Sequence, residues 1–294
     1  MAKQQVTKRQ HHFPQMMLKR FTNENHQIFM YDCVANKLSE PRSTETVAFQ
    51  NHLYSVHYET HKDDALEKKF SKIESEAEDV VNRVLSIETN TPRDAQSLLE
   101  FVTVLISRTP QNTRIAETKG SSNDMRAILE DKGRKKTLPE EAIKKYADSM
   151  QSNKGFSFAS TFNTLFEDLF FKLVENFNPL LCFARAGHFI VSDNYATFEP
   201  VEQIDPYRTD WWTMQIRIHC PIASNACLTF IPKDDPAKIG TLDLNWAKLN
   251  ISETRVSEIN LLTAKQKDRY LYSGYQDELR KYITHTSCDE AQIQ

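Results

Sequence analysis

Between Leu66 and Val84 the apolar residues Leu66, Phe70, Ile73, Ala77, Val80, Val81 and Val84 recur at spacings of 4, 3, 4, 3, 1 and 3. That rhythm places them on one stripe of a helix of about twenty residues. Such a stripe has to be buried, and two further segments offer surfaces for it. Thr91-Pro92 is a cap followed by a proline at the first helical position, opening a helix through Leu98, Leu99, Val102, Leu105 and Ile106 that breaks at Thr109-Pro110. The connection from Ser86 to Thr91 is short enough for an antiparallel pair. Phe158 to Phe177 carries Phe162, Leu165, Phe166, Leu169, Phe170, Leu173 and Val174, and is the helix expected to be most buried.

Strand signals are shorter. Gln27 to Asp32 alternates and is rich in aromatics before a turn at Ala35 to Lys37, which predicts an N-terminal hairpin. Leu180 to Ala184 and His188 to Val191, joined by Arg185-Ala186-Gly187, read as a tight hairpin. Met214, Ile216 and Ile218 alternate with Gln215, Arg217 and His219 as in a half-exposed strand, and Ala226 to Ile231 gives another. Helical character starts again at Leu138-Pro139 and from Glu253 to Tyr272. The expected class is α+β, mainly helical, with a smaller antiparallel strand-rich middle and an N-terminal hairpin. A single domain over 1–275 is expected, with a mobile polar insertion at 119–136 and a polar C-terminal tail at 276–294. The basic end of the insertion, Lys132, Arg134, Lys135 and Lys136, suits a solvated face.

Composition narrows the function. Only 6 glycines occur in 294 residues, none close together, so no stretch supplies the closely spaced glycines of a Walker or Rossmann phosphate loop. A formal net charge of −3 provides no global field toward nucleic acid or membrane. No apolar run approaches a spanning helix, and the polar N-terminus lacks a secretory core, so a cytoplasmic protein without membrane contact is expected. Five cysteines at 33, 182, 220, 227 and 288, with no C-x-x-C pair, read as reduced cytosolic thiols.

The string His11-His12-Phe13-Pro14-Gln15-Met16-Met17-Leu18-Lys19-Arg20-Phe21-Thr22 resembles the H-x-x-P-Q-x-x-L-x-x-F signature of a widespread bacterial family, the domain of unknown function 4238. Collinear matches follow at Lys72-Ile73-Glu74-Ser75-Glu76, Arg108-Thr109-Pro110, Phe189-Ile190-Val191-Ser192-Asp193-Asn194, Ile259-Asn260 and Tyr272-Ser273. The chain departs at Tyr195, where the family continues with proline. The resemblance implies one shared fold and carries neither substrate nor cofactor.

Chemistry therefore has to be argued from side chains. His11 can act as general acid or base, or hydrogen-bond a backbone turn next to Pro14. Glu74 lies about 70° from the centre of the apolar stripe, on its shoulder, where a carboxylate can enter a cleft or pair with Arg108. Arg108, held at a helix break, can fork onto a phosphate or a carboxylate. Ser192, Asp193 and Asn194 offer a hydroxyl, a carboxylate and an amide, which is also common turn composition. There is no G-x-S-x-G elbow and no H-E-x-x-H, and no metal or cofactor is expected. Apolar neighbours place Cys182 in the core, while Cys220 keeps a catalytic reading open.

The leading expectation is an intracellular nuclease-type phosphodiesterase acting on RNA, a toxin or phage-defence effector and metal-independent endoribonuclease. His11 serves as general acid, Glu74 as general base, Arg108 as stabiliser of the phosphorane, and Ser192, Asp193 and Asn194 hold substrate. The alternative is a non-enzymatic binding or sensor module in a defence or regulatory complex, with a protein partner in place of RNA.

Overall fold

The computed structural model describes residues 9–51, 53–57, 62–86, 92–112, 141, 154–201, 216–233 and 247–285. The insertion expected at 119–136 and the helix expected to start at Leu138-Pro139 lie outside these residues, apart from Glu141. Three long helices follow the apolar stripes: α2 (Ala65–Leu85), α3 (Pro92–Ser107) and α4 (Lys154–Asn176), the short α1 (Gln15–Leu18) preceding them. Arg83 near the end of α2 pairs with Asp94 at the start of α3, while Arg108 just past α3 reaches back to Glu74 in the middle of α2. The two helices are therefore antiparallel. Phe70, Val104 and Phe162 close the three-helix junction with Tyr54, and the Phe70 and Phe162 rings meet edge to face at 4.9 Å.

The mainly helical expectation is corrected: helix accounts for 45% and strand for 30%, a balanced α+β fold. Strand is not confined to the middle, since seven short strands precede α2 among the described residues. These are β1 (Arg9–His11), β2 (Gln27–Asp32), β3 (Lys37–Leu38), β4 (Arg42–Ser43), β5 (Phe49–Asn51), β6 (Val56–His57) and β7 (Lys62–Asp63). Strands of two or three residues are too short to display a period of two, which is why they escape a pattern search. The expected N-terminal hairpin is present as β2 and β3, registered Tyr31 to Leu38 and Asp32 to Lys37.

The middle supplies β8 (Phe177–Ala184), β9 (Val191–Ser192), β10 (Thr197–Pro200), β11 (Ile216–Ala223), β12 (Ala226–Pro232) and β13 (Ala247–Ile251). One five-stranded sheet runs β10-β11-β12-β8-β13, and its last pair is parallel, so the sheet is mixed rather than antiparallel. The segments on either side of Arg185-Ala186-Gly187 do not form a hairpin. β8 pairs with β12 and β13, whereas β9 joins a different sheet. Gly187 makes that crossing at φ +76°, a conformation that suits glycine. The strand expected to be half-exposed is nearly all buried along Ile216–Ala223, because Glu199 and Thr229 satisfy His219 inside the fold.

The second sheet combines both ends of the chain. α5 (Glu253–Gln266) stops short of the helix expected to continue to Tyr272, and β14 (Tyr270–Ser273) inserts between β2 and β9, with β3 and β4 on the far side of β2. The stop has a tertiary cause. The Asp193 carboxylate accepts the backbone N–H groups of Asp268 (3.0 Å), Arg269 (2.8 Å) and Tyr270 (3.0 Å), pulling them out of the helical ladder. The tail expected from residue 276 opens as a helix, α6 (Gln276–Ile283), with Leu279 and Tyr282 buried. Between β14 and α6, an added Cβ on Gly274 would clash with the backbone of Phe21, Thr22 and Asn23. Gly274→Ala is expected to destabilise by about 1–3 kcal/mol, measured by urea denaturation.

Candidate functional site

Residue by residue, a cleft of about 430 Å³ is assembled by Arg9, His11, Gln15, Glu45, Glu67 and Glu74. β1 contributes Arg9 and His11 and is held by β5, with His11 registered against Phe49 and its ring 5.7 Å from that phenyl. Pro14 sets an extended backbone before α1, so Gln15 begins the helix four residues after His11 and its Nε2 lies 3.3 Å from His11 Nε2. Glu45 comes from a 3-10 turn, Thr44–Thr46, capped by Ser43. Glu67 and Glu74 are seven residues apart on α2, so they share one face about 10 Å apart along the axis.

Arg108 lies beneath this cleft rather than in it. Its side chain is 1% exposed, and every guanidinium nitrogen is spent on protein: Nε on the His12 carbonyl (3.2 Å), Nη2 on the His11 carbonyl (2.9 Å) and Nη1 on Glu74 Oε1 (2.5 Å). It also sits 5.1 Å from the centre of the Phe70 ring, while Tyr54 Oη donates to its carbonyl. The structure thus brings His11, Glu74 and Arg108 together, with the Glu74–Arg108 pair formed and the guanidinium out of substrate reach.

The electrostatics separate two of the cleft's groups. Burial, aided by the charges of Arg108 and Arg9, lowers His11 to about 4, so its imidazole is neutral at pH 7. Burial raises Glu67 to about 7, with Arg108 opposing and Glu74 adding to the rise. Its Oε2 is buried without a hydrogen-bond partner among the described residues. His12 is wholly enclosed and lowered to about 3 by burial and then by Arg108. A neutral imidazole and a carboxyl that keeps its proton near neutrality thus line the same cavity, and such a divergent pair can accept and donate protons.

Ser192, Asp193 and Asn194 are not among the residues lining the cleft. Ser192 Oγ donates to the Asn194 carbonyl, and Asn194 Nδ2 donates to Gln111 Oε1 and the Gln266 carbonyl. Asp193 is 3% exposed, and its oxygens hold the turn into β14. Arg9, Gln15, Glu45 and Glu67 are the cleft residues that sequence reasoning missed. Glu67 had a findable signal in its seven-residue offset from Glu74, whereas Glu45 reaches the cleft only through tertiary folding.

A second polar cluster runs from the half-buried Arg255 and Glu199 to the buried His219 and Thr229. Arg255 on α5 forks onto Glu199 at 2.8 and 2.5 Å, Glu199 meets His219 Nε2 at 3.0 Å, and His219 Nδ1 lies 3.0 Å from Thr229 Oγ1. Against the cost of burial, hydrogen bonds from His219 and Arg255 hold Glu199 well below the usual carboxylate range. This ties α5 to the mixed sheet. Cys182, Cys220 and Cys227 are free and buried, and burial pushes all three thiols up. The expectation of five reduced thiols is corrected at Cys33, which is disulfide-bonded, and Cys288 lies outside the described residues. Spacing along the chain cannot reveal a bond whose partners meet only through folding.

Among the described residues no helix is long and apolar enough to cross a membrane. A sequence model of a family described as a protein of unknown function (DUF4238) matches residues 9–277. No curated relative and no solved structure matches the chain.

Proposed function

We propose, for a chain that belongs to the DUF4238 family of proteins of unknown function, that its cleft is an acid–base site cleaving RNA phosphodiesters without a metal. The observation that carries this reading is the opposite displacement of His11 and Glu67 within one cavity. RNA needs no external nucleophile, because its 2′-hydroxyl attacks the adjacent phosphorus. His11, being neutral, takes the hydroxyl proton. Glu67 in its protonated form gives a proton to the departing 5′-oxygen. Arg9, exposed at the cleft mouth, offsets charge on the phosphorane, a role that buried Arg108 cannot fill. Glu74 and Arg108 position the catalytic strand and take no direct part. The roles thus differ from those read in the sequence, where His11 was the acid and Glu74 the base.

The test is cleavage of a labelled single-stranded RNA by purified protein in the presence of a chelator. Activity requires His11 deprotonated and Glu67 protonated, so kcat/KM is expected to be level between about pH 4 and pH 7 and to fall tenfold per pH unit above that. His11→Ala and Glu67→Gln are each expected to lose about 100-fold or more while staying folded. In cells, a toxin or phage-defence effector of this kind would deplete RNA and arrest growth, and His11→Ala would not. RNA left intact across the whole pH range would refute the enzymatic reading.

Complete satisfaction of Arg108 by protein groups favours a second reading, in which the network is structural and the cleft belongs to a binding or sensor module. Ligand binding without turnover would identify it.

A further inference from the structure

The three carboxylates of the cleft differ in what they have left to offer. Glu74 is engaged by Arg108, and Glu67 holds its proton near neutrality. Glu45 is exposed, lines the same cavity, and has no side-chain hydrogen bond or ion pair among the described residues. Its backbone is nevertheless fixed, because its N–H donates to Ser43 Oγ at 3.3 Å and Thr46 Oγ1 donates to the Ser43 carbonyl at 2.9 Å. Thr44 beside it is 5% exposed, so the turn is anchored in the body of the protein.

A carboxylate does not attract phosphate, so one carried into an RNA cleft by a fixed backbone turn has to face another part of the nucleotide. It is acceptor-only and planar, and it matches a pair of adjacent N–H donors. Among the four RNA bases only guanine presents two such donors side by side, at N1 and N2. Adenine and cytosine offer one amino group beside a ring acceptor, and uracil one imino group between two carbonyls. We propose that Glu45 reads guanine, seating its Watson–Crick edge at the lip while His11 and Glu67 act on the neighbouring phosphodiester. This inference rests on the RNA-cleaving reading of the same cleft and adds its base specificity.

The test has two arms on the full chain. In the first, binding of the four nucleoside 3′-monophosphates is measured by calorimetry, and the guanosine form is expected to bind at least about 10-fold more tightly than the others. Glu45→Gln, which trades one acceptor oxygen for a donor, is expected to bring guanosine 3′-monophosphate down to their level. In the second, DNA oligonucleotides carrying a single ribonucleotide are expected to be cut after riboguanosine at least about 10-fold faster than after the other three. Equal affinities, or cleavage indifferent to the base, would overturn the guanine assignment and leave the nuclease reading standing. Selective guanosine binding with no cleavage of any substrate would overturn the nuclease reading and leave the guanine site standing.

Discussion

Arg108→Ala is expected to lower the stability of the protein by about 3–5 kcal/mol, the range found when one member of a buried ion pair is removed. Among the described residues Arg108 heads the fully buried side chains by volume, and its loss would act in three ways. Glu74 would keep a carboxylate without its counterion, the carbonyls of His11 and His12 would lose their donors, and a cavity would open against Phe70. Arg108→Lys is expected to recover little, because one ammonium cannot serve three acceptors spread around a planar fork. Urea midpoints of the two variants check this. A loss below about 1 kcal/mol for Arg108→Ala would show that the clamp carries little of the fold's stability.

Asp193→Ala should prove nearly as costly, by a different route. Its carboxylate is the acceptor for three consecutive backbone N–H groups, and each buried donor left without a partner costs roughly 1–3 kcal/mol. A total of about 3–5 kcal/mol is expected, with Asp193→Asn intermediate since one oxygen remains. The local signature is hydrogen exchange: amides of Asp268, Arg269 and Tyr270 should lose protection before those of α2. Unchanged protection at these three would mean that another acceptor replaces the carboxylate.

How far the residues announced this structure depends on the range of the interaction concerned. The helices α2 and α3 were legible because their apolar stripes repeat at helical spacing over five turns or so, and burial of that stripe is the force that forms them. Glu74 and Arg108 were legible as partners for the same reason, since an antiparallel pair of helices with a short connection brings those positions level. β14 was not. Its residues continue a helical pattern from Glu253, and only Asp193, some 75 positions away, converts them to strand. The separation of β8 from β9 escaped in the same way, because two short apolar runs around a glycine look like a hairpin until their partners β12 and β14 are known. Glu45 belongs to this group as well, an exposed glutamate whose neighbours along the chain say nothing about the cleft it borders.

The position of β14 also sets an order of events on the ribosome. Met30 of β2 has Tyr272 as its partner in the ladder, so this strand waits for about 240 residues to be made before its neighbour exists. At roughly 5–20 residues per second that interval is about 10–50 s. During it, β2 has only the two-residue strands β3 and β4 beside it, and its other edge stays open to whatever the cell presents. A chain interrupted before Tyr270 would keep that edge for good. Synthesis is therefore the interval in which this protein carries an open strand edge of the kind that pairs with other chains.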